Sequence, residues 1–257
     1  METVKVNGIN LAYDRRGRGE PLVLIHGYPL DRSTWNEVAS VLENDFDLIL
    51  PDLRGLGQSD AVDKTYTVAD LASDIAGLLD HLKIQKVFIA GHSMGGYVAL
   101  AFARAYPNRV RGLGMISSQV LADSPERKEG RYKSAADVAE KGVGVAVDAM
   151  TTKLSADARV QSFVRNVIQR QKPEGLIGSL KAMAERPDSS ELLKTFKFPV
   201  VIIHGSADAL IPVERGREMK AGLLDAHYAE LSNVGHMPMM ENPQAVAEEI
   251  KFLLITR

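Results

Sequence analysis

The chain has 257 residues, room for one large α/β domain or two small ones. Its 31 Lys and Arg nearly balance 33 Asp and Glu, giving a formal charge of -2 with no long run of one sign, so neither nucleic acid nor an anionic membrane is an expected partner. The absence of cysteine excludes disulfides, thiolate chemistry and cysteine-ligated zinc. With no signal-peptide pattern and no run of the roughly 18 apolar residues that a membrane span needs, a cytoplasmic location is expected.

In chain order, the segments TVKVNG and INLAYD alternate polar and apolar residues around Asn7-Gly8, which predicts an antiparallel hairpin. LVLIHG from Leu22 and FDLIL from Phe46 are continuously apolar, as buried parallel strands are, with a helix predicted between them at STWNEVASVL. Trp35 in that helix reads as core packing. A second helix starts at Thr67, capped three residues on by Asp70, and leads into the strand KVFIAG from Lys86. After a helix beginning near Met94 comes VRGLGMIS from Val110, a weaker strand because of its two glycines.

The interval 119–187 breaks the alternation. It holds helical stretches around Ala135, Ala146, Arg159 and Leu176 and no convincing strand, so it reads as an all-helical insertion in one sheet. The strand VVIIHG from Val200, a helix at VERGREMKAGLL, a short strand near His227 and a helix after Asn242-Pro243 complete the chain, with no internal repeat.

Chemistry concentrates at GHSMG, residues 91–95, where Ser93 sits between a strand and a helix. A nucleophile on such a turn needs flanking glycines, because Cβ atoms there would collide. The helix N-terminus favours developing negative charge. A serine hydroxyl also needs a base, and the base an orienting carboxylate. Of six histidines, His92 should point away from Ser93, His26 and His204 end buried strands, His81 is a helix cap and His227 sits on a strand edge without a polar constellation. His236, in the loop SNVGHMPMMENP, is the expected base, and Asp208, just beyond the strand VVIIHG, the expected acid; Asp188 and Asp225 are less well placed. The loop DLRGLGQSD lacks the terminal Gly-Lys-Ser/Thr of a P-loop and reads as an Arg54 and Asp52 network bracing turns.

HGYP from His26, DLRGLGQSD from Asp52, GHSMGG from Gly91, HGSADALIP from His204 and GHMPMMENP from Gly235 together resemble α/β-hydrolase fold enzymes of the helical-cap type, over essentially the full length. The resemblance implies a mostly parallel eight-stranded sheet flanked by helices, with a core of 1–118 and 188–257 and an all-helical cap at 119–187. It implies a Ser93, His236, Asp208 triad, in the chain order Ser, Asp, His, and an oxyanion hole from the backbone N–H groups of Tyr28 and Met94. The expected activity is that of a serine carboxylesterase acting through an acyl-enzyme, with no metal or organic cofactor. Tyr28, Met94, Met150, Phe163 and Leu180 are the expected substrate contacts, with Leu154, Val167, Leu176 and Met183 as further candidate walls.

The cap shows no basic cluster in the sequence, which favours small to medium carboxylic esters over phosphorylated or coenzyme-A-linked ones. Dehalogenases and epoxide hydrolases of this fold carry an aspartate at the elbow, where this chain has Ser93. Cofactor-free haloperoxidases and perhydrolases share the triad and often read HGWP where this chain has HGYP. Lactonases and carbon-carbon bond hydrolases use the same triad, and some proteins of the fold are ligand receptors or signalling proteins. Oligomeric state is not legible.

Overall fold

Asn7 and Gly8 both take positive φ, 46° and 83°, the backbone pair of a type I′ turn. They join β1 (Glu2–Val6) to β2 (Ile9–Gly17) as an antiparallel hairpin. The four continuously apolar runs form β3 (Glu20–Ile25), β4 (Phe46–Pro51), β5 (Val87–His92) and β7 (Val200–Gly205) in a computed structural model that describes residues 1–255. The core segment expected at 188–257 therefore ends two residues outside the described ones.

The weak run from Val110 is nevertheless a strand, β6 (Val110–Ile116), in the middle of the sheet. Its glycines lower strand propensity in isolation. Here they let β5 pack close, since a Cβ on Gly114 would lie 2.7 Å from that of Ala90. The sheet closes with β8 (His227–Leu231).

Helices fill the connections. A 3-10 turn over Arg32–Trp35 runs into α1 (Asn36–Leu42), and Trp35 is fully buried. α2 (Val68–His81) begins with a complete capping box, in which the Thr67 hydroxyl accepts from the Asp70 N–H and the Asp70 carboxylate accepts from the Thr67 N–H. α3 (Met94–Ala105) follows β5 directly. Between β6 and β7 lie α4 (Pro125–Lys141), α5 (Gly144–Leu154), α6 (Ala158–Gln169) and α7 (Pro173–Ala184), then the short α8 (Ser190–Leu193). α9 (Glu214–Gly222) separates β7 from β8, and α10 (Pro238–Glu241) and α11 (Pro243–Ile255) end the described chain. None of these helices is long and apolar enough to cross a membrane.

The strand order is β1-β2-β4-β3-β5-β6-β7-β8, with the β1–β2 and β2–β4 pairs antiparallel and the remaining pairs parallel. From β3 the chain steps outward to β4, then returns to the other side of β3 as β5. Connection direction thus reverses between β3 and β5, and the crevice at the C-terminal ends of two such strands is where open α/β sheets bind ligands. Tyr28 follows β3 and Ser93 follows β5, so both expected functional loops leave the sheet at this point.

The turns below the crevice are braced by buried ion pairs with different partners from those expected. Asp52, fully buried, pairs with Arg32 and accepts from the Arg32 and Gln58 N–H groups, whereas Arg54 grips Asp74 of α2 through Nε and Nη2 at 2.8 and 2.7 Å. The reason is directional: Asp52 faces the loop after β3, and Arg54 the helix beside β1. Ser59 Oγ donates to the Asp52 carbonyl and accepts from Ala12 N–H, tying the same loop to β2.

Candidate active site

Ser93 takes φ 52° and ψ -114°, outside the regions ordinary residues occupy. Such a backbone costs of order 1–3 kcal/mol and persists only where its surroundings over-determine it. Here the Ser93 N–H donates to the Ile116 carbonyl of β6 at 2.9 Å, and the Ser118 hydroxyl donates to the Ser93 carbonyl at 2.8 Å. Close approach of strand and helix does the rest: a Cβ on Gly91 would lie 2.1 Å from the Gly95 carbonyl oxygen, and one on Gly95 2.4 Å from that of Ile25. Both glycines of the pentapeptide are thus required by backbone contact. Met94 is the first residue of α3, so its N–H is one of the donors a helix leaves free, at the positive end of its dipole.

Asp208 stands in the loop after β7 with its carboxylate wholly buried. Oδ1 accepts from the N–H groups of Leu210 and Ile211 at 2.8 and 2.9 Å, and Oδ2 accepts from His236 Nδ1 at 2.7 Å. Burial works to raise this carboxyl, but attraction to the His236 ring, His204 at 3.4 Å and the backbone donors outweigh it and hold Asp208 well below the usual carboxylate range. It is therefore an anion that fixes the proton of His236 on Nδ1 and leaves Nε2 as the free acceptor. His236 itself is only 1% exposed, so the expected base is buried in its loop.

Ser93 and His236 line one cavity of about 340 Å³. Their side chains are not joined by a hydrogen bond in this structure; catalytic hydrogen bonds are often loose without substrate and tighten when it binds. Tyr28, Met150, Leu180 and Met183 are among the other walls. Phe163 lies outside the lining, and Leu154, Val167 and Leu176 are buried in the packing among the inserted helices. The Met94 side chain is also fully buried, so only its backbone is positioned to act.

The expectation of no basic cluster is overturned: Arg127, Arg131 and Lys153 all line the cavity. The sequence signal was the spacing of Arg127, Gly130, Arg131 and Ser134 on α4, an i, i+3, i+4, i+7 stripe of which every member faces the cavity.

The other histidines have defined places. His92 points away from Ser93, as expected, but its Nε2 donates to the His236 carbonyl at 2.7 Å and the two rings stand 4.8 Å apart. It braces the base, a link between residues 144 apart that local reading missed. His26 donates from Nδ1 to the Gly27 carbonyl and accepts from Leu53 N–H at Nε2. His204 Nε2 donates to the Ile211 carbonyl at 2.9 Å. His81 is an exposed helix end. His227 departs from expectation, pairing with Glu249 and stacking on Phe252.

His26 and His92 are expected to make the fold less stable in acid. Burial pushes both rings below the ordinary histidine value, His92 far below. A second proton on His26 would displace the Leu53 donor, and the buried Nδ1 of His92 has no partner to receive one. As pH falls below about 6.5 the unfolded chain takes up these two protons first, so stability falls by about 1.4 kcal/mol per pH unit for each ring until its folded-state value is reached. Carboxylates held low, such as Asp208, matter only nearer pH 4. The urea midpoint is therefore expected to drop between pH 7.5 and 5.5; a flat midpoint would contradict the neutral assignment of both rings.

A family model described as alpha/beta hydrolase fold matches residues 20–243. A thermophilic esterase from Thermogutta terrifontis, solved with malate bound, is 36% identical with a TM-score of 0.93, over 98% of this chain and 96% of that one. The enol-lactonase from Burkholderia xenovorans LB400 is 26% identical with a TM-score of 0.89, over 99% of this chain and all of its own. The 2-hydroxy-6-oxononadienedioate/2-hydroxy-6-oxononatrienedioate hydrolase of Paraburkholderia phymatum is 29% identical over 92% of this chain and 88% of its own.

Proposed function

The chain belongs to the alpha/beta hydrolase fold family, and from that premise we propose that it is a serine hydrolase of small to medium carboxylic esters. The observation that supports this most directly is a strained serine facing the same cavity as a histidine whose Nδ1 is bound by a buried carboxylate.

In this reading Ser93 Oγ attacks the ester carbonyl while His236 Nε2 takes its proton. The tetrahedral oxyanion is held by the N–H groups of Met94 and Tyr28, each lowering the barrier by about 3–4 kcal/mol. Collapse expels the alcohol, which takes the proton back from His236. Water, deprotonated by the same nitrogen, then releases the acid and restores Ser93. Asp208 stays ionised throughout, orienting His236 and stabilising the imidazolium. Helices α4 to α7, within residues 119–187, act as a cap over a core built from 1–118 and 188–257, and the cavity beneath them sits at the small end of the range for ligand sites.

A fluorophosphonate probe is expected to label the peptide containing Ser93 in wild type and to leave Ser93→Ala unlabelled, alongside repeated turnover of short p-nitrophenyl esters by wild type. A single slow turnover with ligand retained would point to a receptor, and labelling that persists in Ser93→Ala would sink the assignment. Hydrogen peroxide added to the same assay separates hydrolysis from perhydrolysis.

A further inference from the structure

We infer that the substrate is itself an anion: an ester bearing a free carboxylate, held by Arg127 and Lys153 at the cavity mouth while the ester carbonyl lies at Ser93. This rests on the serine-hydrolase reading and names its substrate class. Among the described residues, three cations and no carboxylate line the cavity. An unbalanced set of this kind around a reaction centre raises the local concentration of anions.

The cations are not equivalent. Asp123, with its side chain fully buried, faces three guanidiniums: it pairs with Arg131, with Arg186 at 2.8 Å and with Arg127 at 3.4 Å. One negative charge against three leaves an excess of two. Arg131 and Arg186 are committed, being 14% and 3% exposed and held close to the carboxylate. Arg127 is 41% exposed, and its contacts with Asp123 and the Leu210 carbonyl are both long, at 3.4 Å. Lys153 is exposed and has no ion pair among the described residues. These two side chains keep charge available for a ligand at the solvent edge, where the desolvation cost is small.

Much of the remaining lining is apolar. Met150, Leu180 and Met183 face the cavity, and an adjoining pocket of about 110 Å³ shares Met150 and Leu180 and is lined further by Val138, Val145 and Ala146. Its one acid, Asp137, is paired with Lys141 at 2.7 Å. A half-ester of an aliphatic dicarboxylic acid matches this lining, with methylenes against the apolar side chains and the carboxylate against the guanidinium fork and the ammonium.

The test compares ethyl hydrogen adipate with ethyl hexanoate, and ethyl hydrogen glutarate with ethyl valerate, by pH-stat titration. Within each pair the acyl chain has the same length and only the terminal charge differs. Wild type should favour one or both charged esters by about tenfold or more in kcat/KM, as a charge-assisted contact allows. In Arg127→Gln/Lys153→Gln the ratio of charged to neutral ester should fall by a similar factor, and 0.5 M NaCl should lower the wild-type ratio as well. Binding of adipate to Ser93→Ala by calorimetry, with and without the two substitutions, reads the site without turnover. Equal rates within both pairs, or a preference that survives the double substitution, overturns the inference while leaving the hydrolase intact. If wild type hydrolyses no ester yet Ser93→Ala binds adipate at least tenfold more tightly than the triple variant, the anion site stands and the hydrolase reading fails.

Discussion

Ser93→Ala is expected to lower kcat on p-nitrophenyl butyrate by roughly 10^4- to 10^6-fold, and Asp208→Asn by roughly 10^4-fold. The two losses have different causes. Without Ser93 no covalent step is possible, and what remains is the contribution of the oxyanion donors and of binding. Asp208→Asn keeps an oxygen able to accept from Leu210 and Ile211, so the loop can hold its shape. It replaces the oxygen facing His236 Nδ1 with an amide donor, which forces the imidazole proton onto Nε2. The nitrogen that should take the Ser93 proton then carries one already. Because both residues serve one proton transfer, the double variant should be no slower than Ser93→Ala alone. Asp208→Asn within tenfold of wild type on this ester would show that His236 does not depend on Asp208 for its tautomer, and another group would have to orient the base.

What could be read from the residues followed the range over which each feature is determined. The continuous runs at Leu22, Phe46, Lys86 and Val200 announce buried strands because burial on both faces leaves no polar positions. The elbow is legible because Gly91 answers to backbone contacts within five residues, although Gly95 answers to the distant Ile25 and His26 carbonyls. Arg54 and Asp52 stand two residues apart, yet each pairs with a partner at a separation of 20, so proximity in sequence misassigned both. The basic stripe of α4 was overlooked for a different reason. Polar residues at helical spacing look the same whether they face bulk water or a wet cavity, and only the placement of α4 beside Tyr28 and Leu210 distinguishes the two. Phe163, Leu154, Val167 and Leu176 fail in mirror image, since apolar residues packed among the inserted helices share the periodicity of residues lining a cavity.

The elbow gives the second large effect, in Gly91→Ala. The added methyl would lie 2.1 Å from the Gly95 carbonyl oxygen, 2.2 Å from its carbon and 2.5 Å from Gly96 N. All three are backbone atoms of the first turn of α3, so no rotamer relieves the contact, and β5 and α3 must separate by about 1 Å to reach ordinary van der Waals distances. Gly95 has little room to yield, because the space on its Cβ side is filled by the Ile25 and His26 carbonyls, 2.4 and 2.7 Å from where a Cβ would lie. The separation draws Ser93 away from His236 and moves the Met94 N–H relative to that of Tyr28. A displacement of that size costs about 100-fold in rate. The overpacking and lost contacts should cost about 3–5 kcal/mol, lowering Tm by roughly 10 °C for a chain of this size. Gly130→Ala is the matched control, since it lies within α4 where a Cβ meets nothing within 4 Å. There the substitution should stabilise by about 0.5–1 kcal/mol through helix propensity. Opposite signs at the two glycines, read as Tm by calorimetry, would tie the serine's geometry to backbone contact; Gly91→Ala melting with wild type would show that strand and helix are not held as closely as this mechanism requires.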